Sequence, residues 1–236
     1  MSSPDTRPIS PVAYAENIFD EKFGIPRQSG RASSVVTKIV FLPEYRNPDA
    51  LREIEGFSHL WLIFGFSESL RDGFTPTVRP PRLGGNRRVG VFASRSPFRP
   101  NGLGLSSVKL EAVKADSSRG TYLEVTGADL LNGTPIYDIK PYLPLSDMHT
   151  DAVGGYSDSE RNHKLNVSDP SGLLDTLPEE ISSAACECIA DDPRPSYQND
   201  PAREYVMRLS GFDIGFRVEG NDAYVTSAVT VNEGRK

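Results

Sequence analysis

The run FSHLWLIFGF, residues 57–66, is the most hydrophobic stretch of the chain, and its reading decides the fold. Its length and aromatic content make it a central β-strand rather than a helix. Working outward from it, residues 34–41 (SVVTKIVF) are rich in β-branched side chains and predict a second strand, and residues 9–14 a first one. Between them and the central run, Asn47-Pro48-Asp49 opens a short helix, with Asn at the cap, Pro in the first turn and Gly56 as its end. Downstream, residues 89–93 read as a buried strand, and 106–115, 121–128 and 136–142 as three more. Asn132-Gly133 supplies the positive φ of a tight turn before the last of these. Many short strands with almost no helix between them predict a mainly β chain, its first 146 residues a closed or nearly closed β-barrel.

Residues 147–169 turn polar and read as a connecting loop, and residues 170–236 as a small α+β C-terminal domain. That domain holds a helix over 178–189, with Glu179 and Glu180 favourably placed in its first turn, then strands over 204–209, 212–219 and 223–231. No run approaches the roughly 18 apolar residues that a membrane span needs. The N-terminus lacks a charged-then-apolar leader, so the expected location is the cytoplasm. Cys186 and Cys188 are too few for a disulfide framework or a four-thiolate site and read as packing residues of the helix. His59, His149 and His163 show no metal-ligand spacing, so no metal is expected. There is no G-x-G-x-x-G between strand and helix, no phosphate-binding G-x-x-x-x-G-K and no G-x-S-x-G.

Charge is distributed unevenly. The chain carries 26 basic and 32 acidic side chains, a formal net of −6. Yet residues 73–110 contain no carboxylate, six arginines and one lysine. Without those seven cations the remainder holds 19 basic side chains against 32 acidic. An acidic protein that clears one segment of carboxylates maintains a local positive field for an anionic partner. Pro97 and Pro100 stiffen the turn that carries Arg95 and Arg99, while Gly102 and Gly104 permit positive φ or close approach to a ligand. By themselves these features also suit a solvated basic loop or a non-catalytic RNA-binding barrel.

Read together, several motifs resemble one family: KFGIPRQ (22–28), FSHLW (57–61), VRPPRLGGN (78–86) leading into GVFASRSPFRPN (90–101), and NGTPIYDIKPY (132–142), with DPRPSY (192–197) in the tail. They are similar to the TsaA/TrmO-like family of tRNA methyltransferases with a β-barrel catalytic domain. The resemblance implies S-adenosylmethionine as cofactor. It implies methylation of the exocyclic N6 nitrogen of threonylcarbamoyladenosine, at position 37 beside the anticodon of a subset of tRNAs, and a homodimer. The family's cofactor contacts would fall on Pro26, Arg27, Gln28, His59, Leu60, Arg95, Leu105, Asn132, Gly133, Thr134 and Pro135.

Two departures stand out. Asn132 occupies a position where the family commonly has Asp, and Pro100-Asn-Gly-Leu-Gly104 replaces its usual Pro-Asn-Pro-Ile-Gly, expected to keep the loop but loosen it. The chemistry of the residues agrees with the resemblance. The Arg95 guanidinium suits a methionine carboxylate as a fork. Arg79, Arg82, Arg87, Arg88, Arg99 and Arg194 suit tRNA phosphates. Asp138, on the strand at 136–142, is the candidate proton acceptor. A methyltransferase with a small-molecule acceptor remains an alternative.

Overall fold

A computed structural model of the chain describes residues 7–66, 74–80, 87–160 (side chains of 159 and 160 excepted), 163–195, 198 and 200–231. The N-terminal half contributes β1 (Ala13–Glu16), β2 (Val36–Phe41), β3 (His59–Gly65), the two-residue β4 (Thr77–Val78) and β5 (Val89–Gly90), then β6 (Leu103–Asp116), β7 (Gly120–Thr126) and β8 (Pro135–Pro141). Six of these close into a barrel in the order β1-β2-β7-β6-β3-β8, and β8 pairs back onto β1 through Ala13 opposite Ile136. Every neighbouring pair is antiparallel. Closure removes the unpaired strand edges that an open sheet would expose.

Alternation along the strands decides which side chains fill the barrel. On β3, Leu60, Leu62 and Phe64 point inward and are buried, and they meet Ile39, Val108, Leu123, Val125 and Ile136 in one apolar cluster. On β1 the inward residues are the small Ala13 and Ala15, both fully buried. Phe64 lies opposite Gly104 of β6, and a methyl group there would collide with its ring. Gly104→Ala is therefore expected to destabilise the protein by about 1–3 kcal/mol through overpacking. Thermal unfolding checks this, and an unchanged midpoint would show that the ring can yield.

The C-terminal unit contains β9 (Asn166–Ser168), β10 (Tyr205–Leu209), β11 (Phe212–Glu219) and β12 (Asp222–Thr230), in the order β10-β11-β12-β9 with β9 parallel to β12. A one-turn helix α1 (Pro144–Asp147) follows the barrel, and α2 (Glu179–Ala190) covers the second sheet. Helical spacing puts Ile181, Ala184, Ala185, Cys188 and Ile189 on the buried face of α2, against Met207, Ile214, Phe216 and Val225. Burial pushes the Cys188 thiol up to about 12, with Glu187 and Asp191 adding to the shift, which suits a packing role. This second core also takes in Ile18, Phe19, Ala32 and Val35 from the segment joining β1 to β2. Ser210 N–H donates to the Ile18 carbonyl at 2.8 Å.

Several local expectations are corrected. The first strand spans Ala13–Glu16, with backbone hydrogen bonds starting at Val12 rather than residue 9, because Pro8 and Pro11 have no N–H to donate. The helix expected from Asn47 is two separate 3-10 turns, Pro48–Leu51 and Ile54–Gly56, interrupted at Glu53 with φ +67°. The strand expected over 89–93 stops at Gly90 and becomes a 3-10 turn, Val91–Ala93. Ser94 Oγ and the Arg99 guanidinium both donate to the Val91 carbonyl, taking an acceptor that a ladder would use. Val91 is buried and Phe92 exposed. Gly102 adopts φ +58°, which a proline cannot, so the departure from the family motif reshapes this turn rather than merely loosening it. The polar stretch after residue 146 is not loop throughout, since it holds the 3-10 turn Gly155–Glu160 and β9. Among the described residues no helix is long and apolar enough to cross a membrane.

Candidate active site: a basic cleft on the barrel wall

The same alternation that buries Leu60, Leu62 and Phe64 turns Trp61 and Ile63 outward. Register places Ile63 opposite Leu105 and Gly65 opposite Leu103 on β6. These residues form one wall of a cleft of about 2010 Å³, closed elsewhere by the loop 22–31, the turn 92–102 and residues 129–131. Leu105 leaves 52% of its surface exposed there. Trp61 lines the cleft and donates its indole N–H to Asp147 at 3.0 Å.

The loop 22–31 is held from behind by the C-terminal unit. Arg27 Nη2 donates to the carbonyls of Pro193 (3.1 Å) and Arg194 (2.6 Å). Arg31 pairs with Asp191 at 2.6 Å. Ser34 N–H and Oγ both donate to Glu187, at 2.9 and 2.7 Å. The far end of the loop is tied to the barrel where Gly30 N–H donates to the Gly127 carbonyl at 2.8 Å. Clamped at both ends, the loop presents Gln28 across the cleft, and Arg95 Nη1 donates to Gln28 Oε1 at 2.7 Å. That bond joins two separately expected cofactor positions.

The arginines divide by what they touch. Arg95 is exposed in the cleft. Arg88 lines it too and braces the β4–β5 ribbon by donating to Thr77 at 3.0 Å. Arg99 turns inward, donating to the carbonyls of Val91 (3.3 Å) and Ser94 (2.6 Å), with its guanidinium 5.9 Å from the Phe92 ring. Arg79 reaches the cleft, whereas Arg87 is exposed outside its lining. Arg82 lies outside the described residues. Arg194 makes a two-pronged pair with Asp192 at 2.7 and 3.0 Å, and its side chain is only 9% exposed. The guanidinium expected to meet phosphate there is committed inside the fold.

Other expected positions stand apart from the cleft lining. Leu60 points into the barrel core and has no exposed surface. His59 is exposed at the opposite end of β3, its Nδ1 2.9 Å from Ser58 Oγ. Asn132 Oδ1 accepts from Asn17 N–H at 3.1 Å, and Gly133 N–H donates to the Ala15 carbonyl at 2.8 Å, so this turn anchors the segment after β1. Thr134 reaches the cleft from that turn, while Pro26, Asn132, Gly133 and Pro135 flank lining residues. Asp138 sits opposite Ile63 on the outer face, accepts from Ile139 N–H at 2.9 Å and pairs with Lys140 at 3.1 Å. With 49% of its side chain exposed, it is not among the residues that line the cleft.

Sequence reading missed Asp129 and Tyr156. Tyr156 comes from the connecting segment and donates its hydroxyl to the Ala93 carbonyl at 3.0 Å. Asp129 is partly buried in the cleft wall and accepts from Ser106 Oγ at 2.5 Å. Desolvation raises its pKa above the ordinary carboxylate value, opposed by the Ser106 hydroxyl, its own backbone N–H and the Arg95 charge. Among the described lining residues it is the single carboxylate; the lining also includes Lys22, Arg79, Arg88 and Arg95, together with Arg27, Arg31 and Arg99, which are engaged by the partners described above. Among the described residues no group of three or more His, Cys, Asp or Glu is placed to hold a metal ion.

A closed barrel with an arginine-rich, partly apolar cleft on its outer wall defines a β-barrel protein without a dinucleotide fold, whose cleft carries a positive field. The chain belongs to the tRNA-methyltransferase O family: residues 14–148 match the tRNA-methyltransferase O N-terminal domain and residues 171–231 the TrmO C-terminal domain. The tRNA (adenine(37)-N6)-methyltransferase of Escherichia coli is 38% identical over 215 residues, covering 88% of this chain and 91% of that protein. A Pseudomonas aeruginosa relative named for S-adenosylmethionine-dependent methyltransfer is 40% identical over 220 residues, covering 89% and 91%. The crystal structure of TrmO from Pseudomonas aeruginosa superposes with a TM-score of 0.79 at 31% identity, covering 98% of this chain and all of that one. The family expected from the motifs is the family found.

Proposed function

We propose that this chain methylates N6 of adenosine 37 in tRNA from S-adenosylmethionine, and that its acceptor is the threonylcarbamoylated base in an anticodon loop. The observation that carries the reading is the composition of the cleft: seven cationic side chains, one carboxylate and an apolar floor of Ile63 and Leu105. These groups suit S-adenosylmethionine. Arg95, steadied by Gln28, offers a guanidinium to the methionine carboxylate, and Leu105 and Ile63 offer apolar surface to the adenosyl group. The bound donor supplies a methyl group already activated by its sulfonium, so the protein's principal task is alignment.

The rim suits single-stranded RNA. Phe74 and Phe92 stack with ring centroids 6.4 Å apart and are 58% and 72% exposed, a surface on which an unpaired base can lie. Arg79, Arg87 and Arg88 stand exposed near them for phosphates or the threonyl carboxylate. The acidic remainder of the surface repels RNA and so orients it. The exposed apolar residues Leu143, Leu145, Met148 and Val153 support a homodimer formed through this segment, and a cytoplasmic location follows from the tRNA substrate.

The test supplies labelled methyl donor and bulk tRNA with and without the threonylcarbamoyl group. Label is expected only in the modified pool, with affinity falling steeply as salt rises. Equal labelling of both pools would exclude the proposed acceptor.

A further inference from the structure

Transfer of a methyl group to a carbamoylated N6 nitrogen leaves a proton to be removed. The nitrogen's lone pair is delocalised into the ring and the carbonyl, so it becomes a competent nucleophile only as its proton departs. The acceptor must be an unprotonated group in the cleft, and the described lining holds no histidine and no cysteine. Its Tyr156 hydroxyl already donates to the Ala93 carbonyl. The seven cationic side chains are donors only and accept nothing. Asp138, on the outer face of β8, pairs with Lys140 outside the lining. What remains is Asp129.

We propose that Asp129, held by Ser106 in the cleft wall beside Arg95, takes the N6 proton during methyl transfer; this rests on the function proposed above. In the step, the N6–CH3 bond forms as the S–CH3 bond breaks, the S–C electron pair passes to sulfur, and the N6 proton moves to the Asp129 carboxylate and then to solvent. Three features of the site fit the role. Ser106 Oγ, from β6, occupies one carboxylate oxygen and fixes its orientation. The turn is rigid, bounded by the buried Ala128 and Leu130, each 1% exposed, and by Gly127, whose φ of +74° seats it against Gly30. Desolvation strengthens the carboxylate as a base, while Ser106, the Asp129 N–H and Arg95 limit the rise.

The sign of the pH dependence follows. Folding raises this acid's pKa, so its ionisation costs stability progressively as pH rises from the unfolded toward the folded pKa. Asp129→Asn removes that cost and retains an acceptor for Ser106, so the variant is expected to melt no lower than wild type at neutral pH.

Single-turnover methylation with saturating donor and threonylcarbamoylated tRNA is expected to slow by about a hundredfold or more in Asp129→Asn. Donor affinity by calorimetry is expected to stay within about threefold. The wild-type rate is expected to fall on the acid side with unit slope, and that limb to vanish in the variant. Ser106→Ala removes a hydrogen bond that favours the carboxylate, so it moves the limb to higher pH. A carbon-NMR titration of the Asp129 carboxyl in the protein without donor is expected to show the same upward move. An Asn variant as fast as wild type overturns the proposal, as does a loss confined to donor affinity. If Asp129→Asn does not fold, the Ser106→Ala titration decides, and an unmoved acid limb overturns it. Absence of methyl transfer by the wild-type protein would instead refute the function proposed above.

Discussion

Arg95→Ala is expected to weaken S-adenosylmethionine binding by about ten- to a hundredfold, the range given by losing one charge-assisted hydrogen bond of about 1.5–3 kcal/mol. Two further consequences of the geometry add to that loss. Arg95 Nη1 holds Gln28 Oε1 at 2.7 Å, so its removal also releases the loop side chain that closes the cleft. Its charge is one of the influences that hold the Asp129 pKa down against desolvation, so the acid limb of the rate should move upward in pH as well. Arg99→Ala makes the informative contrast. Because Arg99 donates to the Val91 and Ser94 carbonyls, that change loosens the 3-10 turn and is expected to lower the melting temperature more than donor affinity. Calorimetry and thermal unfolding on both variants separate the roles, and equal loss of donor affinity in the two would contradict this division.

Much of this architecture was legible in the chain before any coordinate. Strands β2, β3, β7 and β11 follow β-branched or aromatic runs bounded by turn residues, and such runs specify a strand locally. The parallel β9 was not legible. Its three residues, Asn166–Ser168, carry no strand signal, and pairing with Asp222–Tyr224 of β12 makes the strand. The end of β5 was misread for the opposite reason. Val89–Ala93 is apolar enough for a strand, but carbonyls captured by Ser94 and Arg99 bend it into a turn.

At the site, Arg27, Gln28 and Arg95 could be named because their motifs are long and chemically unusual, and the cleft gathers them together with Leu105. Asp129 could not be named. In Gly127-Ala-Asp-Leu-Leu131 it looks like the polar residue at the end of a strand, and its burial is created only when Ser106 arrives from β6. Asp138 drew attention by alternating with Tyr137 and Ile139 on a legible strand, but alternation does not say whether an outward face meets a cleft. Arg194 was assigned to tRNA phosphate, and its partner Asp192 lies only two residues away in a turn whose shape sequence does not disclose.

Arg31→Ala is expected to destabilise the protein by about 2–3 kcal/mol. Breaking a fully buried ion pair from one side costs about 3–5 kcal/mol, because the remaining charge keeps its desolvation penalty. Here the Asp191 side chain is only 4% exposed but that of Arg31 is 21% exposed, so solvent returns part of the loss. Asp191 also accepts from Arg27 N–H at 3.5 Å, which places the pair directly behind Gln28. Donor affinity should therefore fall together with stability, although neither Arg31 nor Asp191 belongs to the barrel strands. A cycle with Asp191→Ala and the double variant is the check. A coupling near zero would mean that the two halves of the molecule do not lean on each other through this contact.

The participation of Ile18, Phe19, Ala32 and Val35 in the second core matters while the protein is being made. These residues are translated well before their packing partners Met207, Leu209, Ile214 and Phe216, which follow more than 170 positions later. A nascent barrel therefore displays an oily patch throughout the translation of the intervening stretch, and chaperones have their clearest purchase there.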